Sequence, residues 1–175
     1  LDRPFDSETI VQVKELQKNP EKLEDAFYTN LSFGTGGMRG VMGVGTNRIN
    51  KYTLGKASQG LSRFLVEEYP NETPKVVIAY DSRHQSKELA KIVADIFTAN
   101  KIHCYLFSDL RPTPELSFAV RHLNAHCGIV LTASHNPPEY NGYKVYWKDG
   151  GQLVPPLDSK IIQIIEDTSF DSIRF

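Results

Sequence analysis

Apolar positions follow two periods along this chain. From Tyr52 to Tyr69, Leu54, Ala57, Leu61, Phe64 and Leu65 recur every three or four residues, the spacing of an amphipathic helix, and Pro70-Asn71 breaks it. Gly55 and Gly60 weaken the helical propensity of that stretch without interrupting its apolar stripe. Lys75 to Tyr80 is instead a short β-branched run, the signature of a buried strand, and Leu89, Ile92, Val93, Ile96 and Phe97 mark a helix after it. Ile102 to Phe107 then reads as a strand, Thr113 to Leu123 as a helix with Pro114 in its first turn, and Cys127 to Thr132 as a third strand. Tyr143 to Trp147 adds a further strand, and Leu157 to Ile165 a closing helix after the Pro155-Pro156 break. Such alternation predicts a layered α/β sheet.

The first stretch is patterned differently. Ser7 is placed to cap a helix from Glu8 to Lys18, and Pro20 starts a second through Leu23, Ala26 and Phe27, so residues 1–32 are expected to form a helical arm clamped onto a single unit at 33–175. From Phe33 to Gly45 six glycines surround one cation, Arg39, which predicts a tight loop.

Length and charge narrow the function. At 175 residues and 40% hydrophobic, the chain can bury one core. A formal charge of -1 gives no global attraction to nucleic acid or an anionic membrane, so neither is an expected partner and any anion site must be local. No apolar run approaches the ~20 residues of a membrane span, and no leader pattern opens the chain, so a soluble, cytoplasmic protein is expected. Leu1 is not an initiator methionine, which suggests a piece of a longer protein. Cys104 and Cys127 lack zinc-ligand spacing and read as reduced, buried thiols.

Candidate chemistry gathers where the Ile129-Val130-Leu131 strand should end. Open α/β sheets bind ligands beyond the carboxyl ends of their strands, and there the chain reads Thr132-Ala133-Ser134-His135-Asn136-Pro137-Pro138. The prolines stiffen a loop rich in hydroxyl, imidazole and amide groups. Lys144 follows, and a turn through Asn141-Gly142 would fold it back toward Ser134. A serine is a poor nucleophile until something takes its proton or neutralises the charge it acquires. Lys144 could do either, Arg39 could grip a phosphate through its planar fork, and His135 could orient either group. From residue types alone, each also has a plain structural reading: a turn serine, a solvated histidine, an edge-strand lysine, a packing loop.

The motifs go further. Thr132 to Pro138, continuing Glu139-Tyr140-Asn141-Gly142-Tyr143-Lys144, closely resembles the active-site signature of the α-D-phosphohexomutases. Phe33-Gly34-Thr35-Gly36-Gly37-Met38-Arg39-Gly40 is similar to that family's glycine-rich element, and Tyr80-Asp81-Ser82-Arg83 and Pro112-Thr113-Pro114 resemble two further landmarks in the same order. Gly45-Thr46-Asn47-Arg48 looks most like the branch of phosphoglucomutase 2, bacterial phosphoglucomutase/phosphomannomutase and phosphopentomutase. The resemblance implies a three-layer α/β/α domain with a mixed sheet of about four strands, the first of the four domains of such enzymes. The family's Asp-Gly-Asp metal loop, Glu-x-Ser-Gly loop and C-terminal phosphate-binding loop are not among these residues.

It further implies that Ser134 carries a phosphoryl group, that Lys144 is the general acid/base, that Arg39 lies near the phosphoserine, and that His135 belongs to the catalytic loop. Sugar phosphate and sugar bisphosphate would be the ligands, the remaining parent domains the partners, and Mg²⁺ the cofactor, with one ligand, Ser134 through its phosphate, from this chain. Asp81 and Arg83 suit a structural ion pair beneath the loop equally well. The alternatives are a phosphopentomutase of the same family and a non-catalytic phosphate- or nucleotide-binding module. The latter is disfavoured because no Gly-Lys-Ser/Thr follows the glycines.

Overall fold

The computed structural model describes residues 4–175, so residues 1–3 of the expected arm lie outside the described part. The arm comprises α1 (Ser7–Leu16) and α2 (Pro20–Phe27). Asp6, not Ser7, caps α1: its carboxylate accepts from Thr9 N at 2.7 Å, while its own N–H donates to the Tyr52 hydroxyl at 2.7 Å. The chain is docked one residue before Ser7, and the helix starts from that anchor. Asn19 caps α2, and Asp25 pairs with Arg48.

Five strands follow, one more than the apolar pattern shows: β1 (Gly37–Val41), β2 (Lys75–Tyr80), β3 (His103–Leu106), β4 (Cys127–Leu131) and β5 (Tyr140–Trp147). Their order is β1-β5-β4-β2-β3. β4, β2 and β3 are parallel, whereas β5 runs antiparallel to both β4 and β1. The additional strand is β1, inside the stretch expected to be a loop. The stretch turns tightly at Gly34 to Gly37, closed by reciprocal Gly34 and Gly37 backbone bonds of 2.9 and 3.0 Å, and bends again after β1 at Gly43 to Gly45.

Helices cover both faces. α3 (Lys51–Glu68), α4 (Ser86–Ala99) and α6 (Leu157–Glu166) enclose the larger core with Ile78, Ile129, Leu131, Tyr143 and Val145. α3 forms despite its glycines because Asn50 and Thr53 make a reciprocal capping box and because Gly60 lets α6 close in: a Cβ there would lie 2.7 Å from Ile165. Fully buried side chains such as Leu61 and Phe64 each contribute about 1.5–3 kcal/mol. On the other face α5 (Thr113–His122) packs Leu116 and Val120 against Val77, Ala79 and Val130. α5 lies over β2 and β4 and reaches part of β5. Toward the β1 edge that sheet face is open, and Arg39 is exposed there. Cys127 is buried as expected, but Cys104 is only half-buried, on the edge strand β3, and both thiols are free.

Candidate active site

Pairing across the sheet decides which side chains reach that open face. Lys144 sits opposite Val130 on β4 and opposite Gly37 on β1, so it points to the α5 side of the sheet, as Val130 does. Arg39, two residues beyond Gly37, projects to the same side. Tyr143, between the pairs, points into the larger core, where it is 0% exposed and its hydroxyl lies 3.2 Å from Ser58 Oγ.

Ser134 follows the end of β4 by three residues and is exposed. Its φ is 53°, the left-handed region that few non-glycine residues occupy. Thr132 Oγ1 holds it there by accepting from Ser134 N at 3.0 Å. From this position Oγ meets Lys144 Nζ at 2.6 Å. The approach has a different cause from the expected one. Asn141 and Gly142 are no turn but part of β5, and the chain reverses earlier, where Tyr140 N bonds Pro137 O at 3.0 Å. Asn141 is instead fully buried and donates to His84 O at 3.1 Å and Ser86 Oγ at 3.0 Å. Gly142 is needed because a Cβ there would fall 2.6 Å from Thr132 O and 2.8 Å from Met38 O.

Arg39 joins the loop through Asn136, Nη1 to Oδ1 at 3.4 Å, and is exposed. The glycine-rich segment carrying it is fixed at two points: Gly36 O accepts from Val145 N at 2.9 Å, and Thr35 donates to the buried Asp158 carboxylate at 2.8 Å. His135 is exposed, and its ring hydrogen-bonds to no described residue. Three of the four residues singled out in the sequence are thus brought around Oγ or its loop, and the fourth stands beside them. Arg83 does pair with Asp81, Nε to Oδ2 at 3.7 Å, yet its guanidinium mostly serves the loop. Thr132 and Asn141 also hold the site, and the sequence signals them only through the motif they sit in, with Asn141 expected in a turn.

Lys144 contacts Oγ, and Arg39 joins the same loop through Asn136. Magnesium takes hard oxygen ligands, and these side chains offer it no carboxylate, so by themselves they make no site for it. Among the described residues no three His, Cys, Asp or Glu side chains are grouped to hold a metal. The glycine-rich stretch leads into an edge strand, not into a helix as a nucleotide phosphate loop does. No helix among the described residues is long and apolar enough to cross a membrane.

Residues 30–172 match the model of the phosphoglucomutase/phosphomannomutase α/β/α domain I. The chain is 44% identical over 156 residues to a phosphoglucomutase of Staphylococcus epidermidis, covering 88% of this chain and 28% of that protein. With a phosphoglucomutase of Staphylococcus aureus the identity is 45% over 151 residues, covering 86% and 27%. The chain thus spans little more than a quarter of these relatives. A Thermus thermophilus structure, given provisionally as a phosphomannomutase, superposes with a TM-score of 0.72 at 31% identity, over 84% of this chain and 32% of that one. A Burkholderia thailandensis phosphoglucomutase/phosphomannomutase family protein follows at a TM-score of 0.58 and 26% identity, over 76% and 29%. By sequence and by fold alike, this chain belongs to the phosphoglucomutase/phosphomannomutase family and forms its α/β/α domain I.

Proposed function

We propose that this domain supplies the phosphoserine of a phosphoglucomutase/phosphomannomutase that interconverts sugar 1-phosphate and 6-phosphate through a bisphosphorylated intermediate. One observation carries the reading: Ser134 Oγ is exposed beyond a strand end and bonded to Lys144 Nζ at 2.6 Å. A sugar hydroxyl attacks the phosphorus on Oγ, the P–Oγ bond breaks as the new P–O bond forms, and Oγ leaves with the electron pair. Lys144, already in contact, donates the proton Oγ needs, and the sugar hydroxyl's proton passes to a base. The return step reverses these roles and uses the other phosphoryl group of the bisphosphate. Phosphoryl transfer asks a protein mainly for alignment and neutralised oxygen charge. Arg39, tied to the loop through Asn136, supplies positive charge beside the transferring group. His135 flanks the same group.

A magnesium ion would find in this chain one ligand, a phosphoryl oxygen on Ser134, with the rest supplied elsewhere in the parent. The isolated domain is accordingly inactive, and sugar choice lies outside it. The test is peptide mass spectrometry of the parent enzyme purified from cells, with Ser134→Ala beside it. Phosphate on Ser134, discharged by sugar phosphate, and no turnover in the folded variant are expected. Turnover retained in Ser134→Ala overturns the carrier assignment.

A further inference from the structure

Between Leu131 and Tyr140 the backbone belongs to no strand or helix, so its carbonyls need other partners. Backbone N–H groups meet some of them, Asn136 N at Ala133 O (3.0 Å) and Met42 N at Glu139 O (2.8 Å), and a single side chain takes up four. Arg83 Nη1 donates to Pro137 O at 2.8 Å and Tyr140 O at 3.0 Å, and Nη2 donates to Ser134 O at 2.7 Å and Asn136 O at 2.6 Å. The Nε edge faces Asp81 at 3.7 Å, and the side chain is 12% exposed. Asp81 in turn accepts from Arg83 N at 3.0 Å and Ser86 Oγ at 3.1 Å. The turn between β2 and α4 therefore presents a fixed cation around which the Ser134 loop is wrapped.

A guanidinium carries five N–H groups, and here four meet carbonyls, three in the loop and one at Tyr140 where β5 begins, while the fifth faces the carboxylate. None is left to grip a phosphate. Lysine, with three N–H on one nitrogen, cannot span four carbonyls. We propose that Arg83 is a positioning residue for phosphoryl transfer: its four carbonyl bonds hold the left-handed Ser134 backbone and thereby aim Oγ at Lys144 Nζ. The role rests on Ser134 being the phosphoryl carrier.

The experiment uses the full-length parent enzyme with Arg83→Lys and Arg83→Ala. Loss of alignment of this kind is expected to lower kcat of Arg83→Lys about 100-fold. KM should stay within about threefold, because no phosphate contact is removed. Added methylguanidinium should restore kcat of Arg83→Ala by about tenfold while methylammonium does not, with Tm unchanged by the additive, which separates alignment from fold stability. A kcat of Arg83→Lys within about threefold of wild type, or a loss seen only as raised KM, overturns the proposal. Should both variants fail to fold, Asp81→Asn keeps the guanidinium and removes its counter-charge. A fall in kcat at unchanged Tm is then expected, and an unchanged kcat overturns the proposal. Wild-type enzyme charged with sugar bisphosphate separates the two readings. If Ser134 takes no phosphoryl group, the carrier assignment fails, whereas a charged wild type whose Arg83→Lys variant discharges equally fast removes only the clamp.

Discussion

Ser134 combines a strained backbone with a reachable hydroxyl. A non-glycine residue in the left-handed region costs about 1–2 kcal/mol, and Ser134, at φ 53°, is held there by Thr132 on one side and Arg83 on the other. Strain maintained by two dedicated partners at an exposed hydroxyl is more readily explained by chemistry than by folding. Lys144 is the group whose removal separates carriage from transfer. Its bond is to Oγ and not to the loop backbone, so Lys144→Ala in the parent enzyme should leave Ser134 phosphorylated. Its single-turnover discharge to sugar phosphate should slow by about 10²–10⁴-fold. A discharge rate equal to wild type removes Lys144 from the mechanism.

At the scale of elements, β1 governs where Arg39 stands. Gly37 has φ +135° and faces Lys144 in the pairing, and a Cβ on it would lie 1.9 Å from Tyr143 O. Alanine there cannot be accommodated without moving β1 off β5. Gly37→Ala is expected to destabilise the domain by about 2–3 kcal/mol, read as a lower denaturant midpoint. A midpoint equal to wild type would mean that β1 does not pair as described. The same strand shows how far the sequence was legible. α3, α4, β2 and β4 could be read directly because their apolar residues repeat at the period of the element that buries them. β1 could not, because its sequence Gly-Met-Arg-Gly-Val has one buried apolar side chain and becomes a strand only through pairing with β5, about a hundred residues away. Asn141-Gly142 misled for a related reason: the pair suits a tight turn, yet buried bonds to His84 and Ser86 and the close approach of Thr132 hold it within a strand. The resemblance named Ser134, Lys144 and Arg39, but the grip of Arg83 on four carbonyls depends on a loop conformation that no residue pattern encodes.

For the whole molecule, the two sheet faces divide the work. The open face carries the cations that hold and transfer charge, and the closed face carries hydroxyl and thiol groups that must stay neutral. Burial raises the Cys104 thiol from an ordinary 9.0 to about 11 and pushes Cys127 up further. Burial likewise raises Tyr143, whose hydroxyl lies against Ser58. In each case the unfolded chain loses its proton at lower pH than the folded one. The stabilisation is therefore complete below pH 9.0, where both states are protonated, and declines as pH climbs toward the folded values. Each group ionised only in the unfolded state adds about 1.4 kcal/mol of loss per pH unit. Thermal melts should be flat from pH 7 to about 8.5 and fall increasingly steeply above that. Cys104→Ala/Cys127→Ala should show a shallower alkaline decline, even though its melting temperature at neutral pH is lowered by the cavity at Cys127. An alkaline slope identical to wild type would show that neither thiol stays protonated through folding, and that the core around Cys127 and Tyr143 admits water.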